Sequence, residues 1–193
     1  MLPDGYHDLP PGKVAMVVTH LEMQAPQLRG ASLPKGLTFA KAPRDLAGYR
    51  DLFRCVGTDW MWFGRLVMAD ADLKAILSNP NVQIFTLIKD GVPEALLELD
   101  FYEDGQCELV YFGLTSTLIG TGAGAYLMDE AQRHAFARAQ RLCVHTCTLD
   151  SPQALGFYLR TGFVPFKRQV EVADDPRLTG KLPRDVMPGL PLL

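Results

Sequence analysis

Apolar positions follow two rhythms along the chain. Lys13–Met23 (KVAMVVTHLEM) is rich in β-branched residues and reads as a strand, and Leu37–Ala42 as a second, shorter one. Pro43-Arg-Asp-Leu then opens a helix running to about Val56, the proline being tolerated in a first turn where its missing N–H has no partner to lose. Ala69–Leu77 reads as a short helix with Asp70 near its positive end, and SNPN at Ser78–Asn81 as a stop. Three β-like runs follow, Val82–Lys89, Ala95–Tyr102 and Gln106–Leu114. Asp90-Gly91 and Asp104-Gly105 separate them, pairs that favour tight hairpins, so an antiparallel meander is expected. The rhythm then changes: Leu127, Met128, Ala131 and Ala135 recur at three- and four-residue spacing, which predicts a helix over Gly122–Arg138. Leu142–Leu149 is another strand, Ser151–Thr161 a short helix capped by Gly162, and Phe163–Val172 a closing strand.

That order predicts an α+β domain with a mixed, mostly antiparallel sheet flanked by helices. The unit 106–114, helix, 142–149 should be a parallel β-α-β crossover. We divide the chain into an N-terminal extension with an added strand (1–36), a core domain (37–172) and a C-terminal tail (173–193). The tail carries four prolines and is expected to run over the surface.

Composition narrows the function. Hydrophobic residues are 48% and charged residues 21% of 193, enough for a real core and too apolar for a disordered chain. The formal charge of −3 argues against a nucleic-acid coat, which needs clustered cations. The longest apolar runs are strand-sized, so no membrane-spanning helix is expected. The opening MLPDGYHDLPPGK lacks the basic start and apolar run of a secretory signal. Cys55, Cys107, Cys143 and Cys147 form no CxxC pair, and a reduced, cytoplasmic protein is expected.

Gly120-Thr121-Gly122-Ala123-Gly124-Ala125 follows a strand and opens a helix. Glycines let a ligand approach the backbone, and free N–H groups at a helix start attract phosphate oxygens; a tight turn used only for packing is the plain alternative. Ala125-Tyr126 rules out a P-loop, which needs Lys-Ser/Thr there. Gly120-x-Gly122-x-x-Ala125 also matches a dinucleotide fingerprint, with Asp150 at the end of the next strand. Against that rival, antiparallel strands precede the loop, and only 43 residues follow Asp150.

Two segments resemble the GNAT superfamily of acyl-CoA-dependent N-acyltransferases. Ile119-Gly-Thr-Gly-Ala-Gly124 is similar to its Arg/Gln-x-x-Gly-x-Gly/Ala pyrophosphate loop. Asp150-Ser-Pro-Gln-Ala-Leu-Gly-Phe-Tyr-Leu-Arg-Thr-Gly-Phe163 is similar to its Asn-x-x-Ala-…-Phe-Tyr-x-x-x-Gly-Phe segment. Ile119 stands where the family has Arg or Gln, and Ser151 where it commonly has Asn. The resemblance implies acetyl-CoA as co-substrate, transfer to a primary amine of a small molecule or peptide in a ternary complex, and no metal. It implies cofactor contacts at Phe112, Gly113 and Leu114, where the strands splay, at Ile119, Gly120, Thr121, Gly122, Ala123, Gly124 and Ala125, and at Ser151 and Tyr158. A non-catalytic acyl-CoA-binding module and, behind it, a dinucleotide oxidoreductase are the rival functions.

N-acylation needs a base for the amine, an acid for the leaving sulfur and stabilisation of the carbonyl oxygen. Strict alternation puts Glu108, Val110, Phe112 and Leu114 on one face of a largely apolar strand. Burial there would raise the pKa of Glu108 towards a useful base. The resemblance gives Glu108 that role and Tyr158 the role of acid. His145 is an alternative base. Cys143, His145 and Cys147 share a strand face but lack a fourth metal ligand. The resemblance places Trp60, Trp62 and Phe63 at the acceptor pocket. Asp59, Glu98 and Asp100 are candidates to attract a cationic amine, or else are solvated surface acids. Arg133, Arg138 and Arg141 compensate a helix end or reach a 3′-phosphate. A homodimer is expected to use the Lys13–Met23 strand as its edge.

Overall fold

The computed structural model describes residues 3–102 and 104–193. Its strands are β1 (Lys13–Met23), β2 (Leu37–Lys41), β3 (Val82–Lys89), β4 (Val92–Pro93), β5 (Ala95–Phe101), β6 (Gln106–Leu114), β7 (Arg141–Cys147) and β8 (Val164–Asp174). The helices are α1 (Leu46–Gly57), α2 (Gly64–Val67), α3 (Asp70–Ser78), α4 (Ala123–Phe136) and α5 (Ala154–Arg160). Helix α1 starts three residues beyond Pro43 because Asp45 caps it, its carboxylate accepting from Gly48 N–H at 2.9 Å. The one-turn helix α2 was not legible in the sequence.

The strands form one mixed sheet in the order β2-β3-β5-β6-β7-β1-β8, with β4 paired to β3. Among the described strands β6 and β7 are the parallel pair, joined through α4, and the other pairings are antiparallel. This is the expected mixed α+β sheet, and it is not a doubly wound parallel one.

Strand β1 differs from expectation. It lies inside the sheet, antiparallel to β7 on one side and to β8 on the other, so the sheet edge belongs to β8. The apolar alternation of β1 explains this: Val14, Met16 and Val18 on one face are buried under one core, and Leu21 and Met23 on the other face in the other; the bulge beside His20/Leu21 lies in β8, at Phe166.

The C-terminal segment also differs from a surface tail. Leu182 and Val186 are buried in the core beside Val14. Asp175 and Arg177 form a fully buried ion pair at 2.7 Å, and Arg177 also donates to the carbonyls of Val186, Met187 and Leu190.

The sheet separates two cores. One packs α4 on Leu97, Leu99, Leu109 and Leu142 through Leu127, Met128 and Ala131. The other packs α1 and α3 on Ile84 and Leu96 through Tyr49, Phe53 and Leu73. Each fully buried leucine stabilises the fold by about 2 kcal/mol relative to exposure. No helix among the described residues is long and apolar enough to cross a membrane.

Candidate active site

The glycine loop becomes helix α4 at Ala123. Gly122 caps it with φ 91°, a left-handed conformation that a side chain would strain. The N–H groups of Gly120, Gly122, Gly124 and Ala125 have no protein acceptor among the described residues. A Cβ added at Gly120 or Gly122 would meet only open space. Unpaired donors at the start of a fourteen-residue helix suit a diphosphate.

The partner of this loop is the gap between β6 and β7. Their pairing runs only from Gln106↔Arg141 to Leu109↔Val144 and then stops. The cause is a bulge at Val110: Glu98 pairs with Tyr111 but Leu99 with Leu109, leaving Val110 unopposed. The extra residue reverses the alternation expected for β6. Tyr111 and Gly113 pack with the α1-side core and Trp62, whereas Phe112 and Leu114 pack with the α4-side core. Glu108 therefore does not share a face with Phe112 and Leu114.

The parted strands open a cleft of about 440 Å³. Its lining contains Phe112, Gly113 and Leu114 from β6, Ile119, Gly120, Gly122, Gly124 and Ala125 from the loop, and Ser151 and Tyr158 around α5. Trp60, Trp62, Phe63 and His145 line it as well. Thr121 and Ala123 do not. Ala123 is buried, and the Thr121 hydroxyl donates to Leu118 O at 2.7 Å, holding the turn's shape. Asp59 faces a second, smaller cavity of about 270 Å³, with Glu94 and Thr117. Arg138 and Arg141 lie beyond the C-terminal end of α4, opposite the loop. Arg138 donates to Asn81 at 3.0 Å and Arg141 pairs with Glu22, so neither is free for a phosphate.

Glu108 stands behind the cleft wall. Its carboxylate accepts from the Tyr102 hydroxyl at 2.7 Å and lies 3.2 Å from His145 Nδ1. The hydrogen bond from His145 outweighs desolvation and holds the Glu108 carboxyl below its usual range, the reverse of the expected rise. The same bond raises the pKa of His145. His20 sits with its ring centroid 5.6 Å from that of His145; burial, then the charge of His145, lower its pKa. The cleft thus receives the imidazole, with the carboxylate as its support.

A second buried acid sets the aromatic floor. Glu98, expected near a cationic amine or at the surface, is completely buried and accepts from both the Tyr49 hydroxyl and the Arg65 guanidinium. Arg65 in turn lies 5.2 Å from the centre of the Tyr111 ring. Trp62 packs 5.1 Å from Tyr111, and its Nε1 donates to Asp150 Oδ1 at 3.0 Å. The other oxygen of Asp150 accepts from Thr146 and Cys147. Asp150 therefore pins the end of β7 to the aromatic segment after α1.

Tyr158 is 6% exposed, lies under Phe112 and Phe163, and has no hydroxyl partner among the described residues. Burial raises its pKa, so the phenol stays protonated and can donate. All four cysteines are unpaired. Burial pushes the Cys147 thiol up to about 11, so it is a poor nucleophile. Among the described residues no three potential metal ligands converge.

Met16, Tyr111, Leu149 and Glu171 also line the cleft and were missed by sequence reasoning, as were the cleft positions of Asp150, weighed there only as a ribose-binding acid, and of Arg160. Met16 and Glu171 reach it because β1 and β8 join the sheet beyond β7, which no local pattern reveals. Asp150 and Arg160 had a signal, since both lie in the Asp150–Phe163 segment.

A mixed sheet parts over a glycine loop at a helix start, with an aromatic cleft between them. Residues 49–163 match the family model described as the acetyltransferase (GNAT) family. The chain belongs to that family. Solved structures share the fold. A GCN5-related N-acetyltransferase from Kribbella flavida is 20% identical with a TM-score of 0.57, covering 88% of this chain and 63% of that one. A functionally unknown conserved protein from Staphylococcus epidermidis is 14% identical with a TM-score of 0.59, covering 85% and 63%. An aminoglycoside acetyltransferase from an uncultured soil metagenomic sample is 16% identical with a TM-score of 0.54, covering 66% and 88%. The chain thus spans under two thirds of the first two neighbours. No curated protein matches it.

Proposed function

We propose that the protein transfers an acetyl group from acetyl-CoA to the primary amine of a small molecule with an apolar body, by direct attack in a ternary complex. The observation that carries this reading is that His145 and Tyr158 line one cleft together with the unpaired N–H groups of Gly120, Gly122, Gly124 and Ala125. Those amides would hold the diphosphate of the coenzyme. Ser151 and the ring of Phe157, stacked on Phe112 at 5.5 Å, would border its pantetheine arm.

His145 in its neutral form accepts the amine proton, and Glu108 fixes the orientation of the ring through Nδ1. This assigns Glu108 a positioning role and makes His145 the base. Tyr158 donates its phenol proton to the departing sulfur. A backbone N–H on the unpaired end of β6, near Gly113, polarises the thioester carbonyl.

The acceptor class follows from which charges remain free. Glu98 is neutralised by Arg65, Glu108 is engaged by His145 and Tyr102, and both oxygens of Asp150 are taken. The remaining carboxylate of the lining, Glu171, stands on β8 at the sheet edge. A polycation such as an aminoglycoside would meet little compensating charge, whereas Trp60, Trp62, Phe63, Tyr111 and Met16 offer an apolar wall. The test is a panel of aryl-alkyl, aliphatic and polycationic amines, following release of the coenzyme thiol, alongside calorimetry with acetyl-CoA alone. Turnover with the apolar amines is expected. Acetyl-CoA binding without turnover on any amine would make the protein a binding module, and no binding would remove the transferase reading.

A further inference from the structure

The edge strand β8 is eleven residues long, and ten of them are exposed. Its free backbone groups can be assigned from its neighbour. Val17 N–H donates to Thr148 Oγ1 at 3.1 Å, and Val17 O accepts from Thr148 N–H at 3.1 Å, so both backbone groups of Val17 point towards β7. Val170 is opposite Val17 and therefore turns its own N–H and C=O away from the sheet. By alternation Arg168 and Val172, opposite Thr19 and Ala15, do the same. Pro165, opposite Leu21 beyond the bulge, falls where an outward donor would be and ends the pairable stretch.

The sequence of that stretch is self-complementary. Laid antiparallel on a copy of itself about Gln169, Lys167 falls opposite Glu171 and Arg168 opposite Val170, while Phe166 is the bulged residue between Lys167 and Pro165. Arg168 and Val170 are then the hydrogen-bonded pairs, making about four main-chain bonds across the two-fold axis. Lys167 and Glu171 fall at the closer, non-hydrogen-bonded positions, where opposite charges attract most. Side-chain burial points the same way: Val170 and Val172, each 53% exposed, share one face of the edge with the exposed Val17, an apolar row that a monomer leaves in water.

We propose that the protein forms a two-fold dimer through antiparallel β8–β8 pairing of Lys167–Glu171 about Gln169, joining two sheets into one. The dimer seats Lys167 of each copy against Glu171 of the other, at the rim of the cleft that Glu171 lines. The homodimer edge is thus β8 and not β1. The proposal does not depend on the chemistry assigned to the cleft.

Light scattering coupled to gel filtration on the full chain tests it at micromolar concentration. The wild type is expected at twice the chain mass. Lys167→Glu places two like-charged pairs at the axis and should halve the mass, with the circular dichroism spectrum unchanged. The double variant Lys167→Glu/Glu171→Lys restores opposite charges and should return the doubled mass. A monomeric wild type, or a dimer indifferent to Lys167→Glu, overturns the proposal.

Discussion

The carboxylate of Glu108 holds His145 by Nδ1 at 3.2 Å, which leaves the opposite ring nitrogen as the atom free to work in the cleft. The pairing makes the two groups titrate as a unit, with Glu108 lowered and His145 raised by their shared hydrogen bond. His20, Asp150 and Glu171 are the further charges felt by the pair.

This fixes a pH signature. His145 must lose its proton to act, so kcat/KM should fall at low pH through an inflection above the ordinary histidine value of 6.5. Glu108→Gln removes the charge that favours the imidazolium. The inflection should move to lower pH while the plateau falls about tenfold through lost orientation. A pH–rate profile of both forms checks this; a Glu108→Gln variant with an unmoved inflection would reject the pairing.

The same pair contributes to folding in a definite window. The part due to the raised pKa of His145 is complete below 6.5 and lost as pH rises through the raised value. The part due to Glu108 is complete above 4.5 and lost as pH falls through the lowered value. His145→Ala should therefore narrow the stability difference from wild type at both ends of a pH series of urea melts.

Tyr158→Phe keeps the ring packed between Phe112 and Phe163 and removes only the hydroxyl. We expect kcat to fall by about 10²-fold with acetyl-CoA affinity nearly unchanged, in the range usual for loss of a general acid. Stopped thiol-release assays and calorimetry separate the two quantities.

Gly122→Ala puts a side chain at φ 91°, where the surrounding space is open but the backbone is strained. The cost to folding should be about 1–2 kcal/mol. Coenzyme affinity should fall further, because relaxing the strain re-aims the free N–H groups. Thermal melts with and without acetyl-CoA measure both.

Asp175→Ala leaves Arg177 buried without its counter-charge, at 1% side-chain exposure. The loss should be about 3 kcal/mol or more. It should appear in urea denaturation as a lower midpoint and, through release of the 182–190 segment, as faster proteolysis near the C-terminus.

Local signals carried much of this architecture. The Asp90-Gly91 hairpin, with φ 50° and 81°, and the cap at Gly162, with φ 100°, follow from residues that tolerate left-handed backbone. The glycine loop and the Gly162-Phe163 segment pointed to the cleft for the same reason. What escaped were features decided by distant parts of the chain. The bulge at Val110 depends on how β5 meets β6, and it reversed the face of every residue after Leu109. The lowered carboxyl of Glu108 depends on His145, thirty-seven positions away. Glu98 looked like a surface acid because neither Tyr49 nor Arg65 is near it in sequence.

The insertion of β1 between β7 and β8 also orders events during synthesis. Strand β1 has no seat until β7 has been made, and β8 has nothing to lie against until β1 is in place. The nascent chain must carry an exposed, apolar ribbon while more than a hundred further residues are made and close the sheet by joining β1 to β7 and β8, a slow, non-local step that invites chaperone capture.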